Sequence, residues 1–408
     1  MNERFDIVYL TCYEKWWDWE AEGFVSRSAI VAQGLARHPR VRRMLVVNPA
    51  TSIWRDLSRG VAPRQRTVER GHGVRVFDHV RLLPRETKWP LAYRLNAPLH
   101  DEAFVGSLHA AMGDWGMADA VIWMAGPLVA KYAEHFPTNP VVYDAVDEWT
   151  ADPAQTGLRA QIRRSCELIR ERADVVFAVS PTLAQSFAGG RPTVSVVPNG
   201  IDTTRFEGVH PVPDDLTGIP EPRAGYVGVL QDRVDVDLVG RLATRIPRVS
   251  FVFVGPVLDH AHFAPVRSLP NVHFLGPRRP ELVPAYLSAF DACLLPHVRS
   301  DLTRNMDPLK LYEYLAARKP VVATDLPLSQ PPGLVRVAPD AASFEQALAE
   351  AVAGQWKPDE ALLDTYLVEA SWDARLETMV EQVRRVTSPV ADTSRWSERA
   401  TQSGGIDA

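Results

Sequence analysis

Apolar positions along the chain follow two rhythms. Short β-branched and aromatic runs at 6–10 (DIVYL), 44–47, 75–78, 120–124 (AVIWM), 140–143 (PVVY) and 174–179 (DVVFAV) read as strands. Helical spacing predicts helices over 26–37, 101–115, 128–135 and 158–172. A second series repeats the alternation, with strands at 224–229, 250–254, 272–275, 292–295, 321–324 and 334–337. Its helices are expected at 235–245, 281–288 and 342–354. Strands that are apolar on both faces belong in parallel sheets covered by helices. The expected class is therefore α/β, with two doubly wound, Rossmann-like domains facing across a cleft.

Turn chemistry sets the boundaries. Pro198-Asn199-Gly200 stops the run at 194–197, and 203–223 is rich in Pro and Asp without periodicity. The division expected is a first domain at 1–202, a linker at 203–223 and a second domain at 224–370. A closing helix at 371–388, opened by Ser371-Trp372-Asp373, is followed by a Ser-, Thr- and Gly-rich tail at 389–408 expected to be disordered.

Residues 305–327 (NMDPLKLYEYLAARKPVVATDLP) read as a helix feeding a buried strand. Asp307 is expected to cap the helix and Pro308 to open it. Leu309, Tyr312, Leu315 and Ala316 make an apolar face, and Lys310 and Glu313 lie one turn apart on another. A helix start beside the carboxyl ends of parallel strands is where phosphates bind in α/β proteins.

Two further stretches carry chemistry. After the first strand, 11–24 reads as a loop in which Trp16, Trp17 and Trp19 alternate with Asp18, Glu20 and Glu22. Aromatic faces among carboxylates suit a sugar or amino-polyol acceptor; the same residues equally suit a staple fixing the segment to its domain. The strand at 140–143 delivers Asp144, Asp147 and Glu148 to the crevice. Asp147 is the candidate polar group beside the reacting sugar or acceptor hydroxyl. Asp144 is read as an acceptor ligand, or with Glu148 as a helix cap.

Composition narrows the classes. At 408 residues the chain is comfortable for two domains, and its net charge of −5 argues against general nucleic-acid binding. Between 37 and 94 basic residues outnumber acids; Arg40, Arg42, Arg43, Arg55, Arg59, Arg64, Arg66 and Arg70 belong to this set. Such a patch fits anionic lipid, a phosphorylated acceptor or simply a solvated face. Cys12, Cys166 and Cys293 lack metal-ligand spacing and read as core thiols of a reducing compartment. With no signal-like start and no membrane-length apolar run, the expected location is cytoplasmic, with peripheral contact at the inner membrane face as the variant. No metal-ligand cluster is apparent, so no metal or other cofactor is expected.

Residues 305–327 resemble the donor-binding segment of family 4 glycosyltransferases, which have the GT-B fold. There a Glu stands seven residues before a Pro-Val-Val strand, as Glu313 stands before Pro320. The family's usual earlier Glu is Asn305 here. Pro308, Lys310, Glu313 and Tyr314 follow the pattern of a subgroup that includes teichuronic-acid-type transferases. The run Val197-Pro198-Asn199-Gly200-Ile201-Asp202 is a second match. Residues 228–233 (GVLQDR) resemble the diphosphate-clamping Gly-Arg-Leu segment, with Val229 in place of the Arg. The resemblance implies that Gly228, Arg233 and Lys310 hold a donor diphosphate and that Glu313 grips the ribose. It puts Arg278 near the base and Asn305 on the sugar. Arg27 replaces a Gly-Gly that lies near the donor phosphates, on the acceptor side. The implied activity is metal-independent hexosyl transfer, with retention, from a nucleotide-sugar to a saccharide, lipid-linked or secondary-metabolite acceptor. Alternatives are a nucleotide-sugar epimerase or hydrolase of the same fold, or a non-catalytic GT-B partner protein.

Overall fold

A computed structural model describes residues 4–53, 57, 65–81 and 90–387. The chain divides into two compact units: residues up to Val197 together with those from Leu376 on, and Pro198–Arg375.

The first unit is built on β1 (Phe5–Leu10), α1 (Trp16–Glu22), α2 (Arg27–Arg37), β2 (Val41–Val47), β3 (Arg66–Gly71), β4 (Val74–Asp78), α3 (Pro90–Gly113), β5 (Val121–Met124), β6 (Val141–Ala145), α4 (Arg159–Arg172), β7 (Val175–Ala178) and β8 (Thr193–Val196). Its strands run in the order β8-β7-β6-β5-β1-β2-β4-β3, parallel except for β3. β1, β5, β6 and β7 are buried along their whole length, as double-faced packing requires. The sequence missed β3, because an antiparallel edge strand reading RTVERG buries almost nothing.

The second unit contains β9 (Arg223–Val227), α5 (Val236–Arg245), β10 (Ser250–Val254), β11 (Val272–Gly276), α6 (Val283–Ser288), β12 (Ala292–Leu295), α7 (Asp301–Asn305), α8 (Leu309–Ala316), β13 (Val321–Thr324), β14 (Arg336–Ala338), α9 (Ala341–Val352) and α10 (Glu360–Glu369). Its parallel sheet runs β11-β10-β9-β12-β13-β14. The order reverses at β9, which has β10 on one side and β12 on the other. In the first sheet β1 holds the same place between β2 and β5. These reversals mark where such sheets bind ligands, outside the carboxyl ends of the strands.

Two expected boundaries move. Residues 198–202 belong with the second unit, because Ile201 N–H donates to the Ala370 carbonyl at 2.9 Å and Gly200 packs on Trp372. The expected linker at 203–223 packs into that unit as well, burying Leu216 and Ile219. The closing helix α11 (Trp372–Thr387) begins in the second unit and from Leu376 belongs to the first. There Leu376 sits against Gly34, where an added Cβ would stand 2.2 Å from Leu376 Cδ1. Arg40 pairs with Glu381 at 2.8 Å, and Ser195 Oγ donates to Gln382 at 2.7 Å. The expected tail at 389–408 lies outside the described residues.

Candidate functional site

At the reversal of the second sheet, backbone comes closest. Gly228, just past β9, has φ +135°, and a Cβ there would meet Lys310 Cε at 2.9 Å. Gly255, just past β10, has φ +146°, and a Cβ there would stand 2.0 Å from the Gly228 carbonyl oxygen. Only glycine fits either place. The Lys310 stem therefore lies directly on the Gly228 backbone, with Nζ 4.9 Å from the Tyr226 ring centroid.

Arg233 arrives from the loop after β9, where its carbonyl accepts from Val298 N–H at 2.9 Å. Its Nη1 lies 3.6 Å from Met306 Sδ. Among the described residues, neither Arg233 nor Lys310 has a carboxylate within ion-pair distance. Both cations act on His297, at the end of β12, which is 1% exposed. Burial first, then Lys310 and Arg233, hold His297 well below the usual imidazole range, so it is neutral. Its Nε2 faces Tyr226 Oη at 3.3 Å. Sequence reasoning left His297 unassigned; its one signal was its place after the buried run 292–295.

Helix α8 carries Lys310 and Glu313. Leu311, Tyr312, Tyr314 and Leu315 are its buried residues, whereas Leu309 and Ala316 are half-buried. Tyr314 Oη accepts from Val227 N–H at 2.9 Å and so ties the helix to the end of β9. Asp307 is not the helix cap. Its carboxylate accepts instead from Asn199 N–H at 2.6 Å and Tyr312 Oη at 2.8 Å, while Asn199 Nδ2 donates to the Asp307 carbonyl at 2.6 Å. The Pro-Asn-Gly turn thus anchors the helix start. Glu313 is half-buried; burial raises its carboxyl, against the pull of Arg205 and then Lys310. Asn305 closes α7, its Nδ2 donating to the Asp301 carbonyl at 2.6 Å.

Arg278 Nε donates to Tyr286 Oη at 2.7 Å and its Nη2 to Asp215 at 2.5 Å, so the guanidinium braces the 214–216 turn. Burial works to raise the Asp215 carboxyl, and the bonds from Arg278 and Tyr286 outweigh it and leave it lowered. Asp235 and Asp237 form an Asp-x-Asp triplet, but Asp235 is the N-cap of α5, accepting from Leu238 N–H at 2.8 Å. Among the described residues no three His, Cys, Asp or Glu side chains are grouped to hold a metal ion.

In the first unit the tryptophan-rich segment is the helix α1, not a loop, and acts as a staple. Trp16 is 5% exposed and Trp19 2%. Their indoles donate to Glu20 at 2.7 Å and Glu14 at 2.5 Å, so neither offers a face to an acceptor. Trp17 donates to Asp78 at 3.0 Å beneath Arg66 and Arg70. Arg27 and Asp144, expected to meet substrate, meet each other. The guanidinium, 4% exposed, donates from Nε at 3.1 Å and from Nη2 at 2.9 Å to a carboxylate that is 0% exposed inside β6. What the reversal of this sheet does present is a stack of Tyr13 on Trp149, with centroids 4.7 Å apart. Tyr13 follows β1 and Trp149 follows β6, with Asp147 half-buried two residues earlier. The arginine excess is balanced from afar: Arg42 and Arg43 share Asp6, Arg66 pairs with Asp78 and Arg70 with Glu20. Arg55, Arg59 and Arg64 lie outside the described residues. Among the described residues no helix is long and apolar enough to cross a membrane.

Residues 221–354 match the family Glycosyl transferases group 1. The matched stretch lies within the second unit. A Bacillus subtilis (strain 168) protein that carries the name teichuronic acid biosynthesis glycosyltransferase TuaH is 31% identical over 220 residues, 50% of this chain and 55% of that relative. The chain thus spans about half the length of the curated relative it matches. Solved structures extend the likeness to both units. Anabaena Alr3699/HepE in complex with UDP aligns over 94% of this chain and 99% of its own, with TM-score 0.62 and 18% identity. A trehalose 6-phosphate synthase from Burkholderia multivorans aligns over the same shares, with TM-score 0.63 and 13% identity. The fold of the two units is GT-B.

Proposed function

We propose that the chain transfers a sugar from a nucleotide-sugar to a hydroxyl of a saccharide, lipid-linked or secondary-metabolite acceptor. One observation carries this reading: at the reversal of the second sheet Lys310 lies on the Gly228 backbone, Arg233 reaches Met306 from the loop after β9, both act on His297, and neither has a carboxylate partner among the described residues. Two cations without carboxylate ion pairs among the described residues, one of them on a close-approach glycine, together with the start of α8, suit a diphosphate. They stabilise charge where it develops as the sugar–phosphate bond breaks, in a place a bound water cannot match. Glu313 accepts from the ribose. The UDP bound by the Anabaena relative supports a uridine donor. Charge compensation by these side chains fits activity without a metal, and turnover in excess EDTA checks it. Asn305 and the segment before it contact the sugar. The Tyr13–Trp149 stack, with Asp147 beside it, supports an acceptor ring in the first unit.

The test is a thermal-shift screen against UDP, GDP, dTDP, ADP and CMP, since a ligand bound only to the folded state raises the melting temperature. One nucleotide is expected to stabilise the chain, and Glu313→Ala and Arg233→Ala are expected to abolish the shift while keeping the fold. No shift with any of the five overturns the reading. Trp149→Ala is expected to raise the acceptor KM and leave donor binding intact.

A further inference from the structure

Arg205 lies in the short turn at Thr203–Phe206, just after the Pro-Asn-Gly anchor, and no family motif draws attention to it. Its Nη2 donates to the Pro280 carbonyl at 2.8 Å, in the turn that follows β11. Its Nη1 stands 3.8 Å from Glu313 Oε1. The guanidinium carbon is 5.7 Å from the Phe206 ring centroid, which supports it from below. One side chain thus joins the turn after β11 to the helix that carries Glu313. At 3.8 Å the contact is an ion pair and not a hydrogen bond, so the carboxylate keeps its lone pairs for a ligand.

We infer that Arg205 is a positioning residue for the nucleoside half of the site: it fixes the Glu313 carboxylate to accept from both ribose hydroxyls and thereby sets a preference for ribonucleotides over 2′-deoxyribonucleotides. This rests on the ribose role proposed for Glu313. The electrostatics agree. Burial pushes the Glu313 carboxyl up, and Arg205 is the larger of the two cations opposing it, ahead of Lys310 on the same helix. The Tyr314 phenol is the titratable neighbour that in turn senses the Glu313 charge. A half-buried carboxylate without Arg205 takes up a proton more readily and then loses part of its acceptor capacity.

The experiment is calorimetric titration of UDP, GDP and ADP, each beside its 2′-deoxy form, across pH, with the unaltered chain, R205Q, R205K and E313Q. The unaltered chain is expected to prefer the ribo form about tenfold or more, the scale of a hydrogen bond to a charged group. R205Q is expected to lose most of that preference by weakening only the ribo form. Its affinity loss on acidification begins at a higher pH, and R205K restores part of the preference. An R205Q chain that keeps the preference and the pH profile, or that weakens both forms equally, overturns the inference alone. An unaltered chain with no preference or no binding, or an E313Q chain that keeps the preference, overturns the ribose role and the inference with it.

Discussion

The Arg27–Asp144 pair of the first unit is buried at 4% and 0% exposure. Removing one partner strands the other charge. Arg27→Ala is expected to cost about 3–5 kcal/mol in urea unfolding, and Arg27→Met with Asp144→Asn to recover most of it. The pair was not legible in sequence because its members stand 117 positions apart. Each instead looked like a substrate ligand, having a charge at the right end of a predicted element. The same limit explains Arg278, whose partner Asp215 lies in the expected linker. Lys310, Glu313 and Arg233 stood out in the sequence because the stretches that hold them resemble the donor-binding segments of family 4 glycosyltransferases. Gly228→Ala joins two of these arguments. It forces a Cβ onto φ +135° and into the Lys310 stem. The expected cost is about 1–3 kcal/mol of stability together with a lost nucleotide shift, read by thermal unfolding with and without ligand.

Elements were legible where burial is two-sided. β1, β5, β6, β7, β9, β10 and β12 are continuous buried runs, so their existence could be read, with ends off by a residue or two. α1 was not, because its tryptophans and carboxylates are partners of one another and leave no simple apolar stripe. β3 was hidden by its exposure, and α10, with Leu363, Tyr366 and Leu367 as its buried residues, by a weak periodicity. Helix α11 adds an electrostatic test. Hydrogen bonds from Arg384, then Arg40, hold the Glu381 carboxyl down at about 2. A lowered carboxyl contributes stability above its ordinary 4.5 and loses it as pH falls through about 2. Glu381→Gln is expected to lower the melting temperature at neutral pH. The difference should shrink below pH 4 and in about 1 M salt, because the carboxylate is still a third exposed and open to screening.

At the scale of the whole molecule, each unit has its own sheet and its own core, and the cations assigned to the donor lie in the second. Calorimetry is expected to resolve two transitions, of which a bound nucleotide raises the one belonging to residues 198–375. A nucleotide that moved only the other transition would place the donor in the wrong unit. The two-part architecture was legible because the strand–helix alternation restarts after the Pro-Asn-Gly turn. The dividing line was misplaced because that turn looks like an end, whereas the Asn199–Asp307 bonds make it a beginning.

Helix α11 has a consequence for how the molecule is made. Because residues from Leu376 on return to the first unit, that unit is discontinuous and the second is spliced into it as one uninterrupted insert. During synthesis on the ribosome, every residue of the second unit emerges before the last piece of the first does. The insert can mature while its host waits with the Gly34 seat empty. A nonsense codon near 375 should therefore yield a protein whose later half is folded and whose earlier half is not.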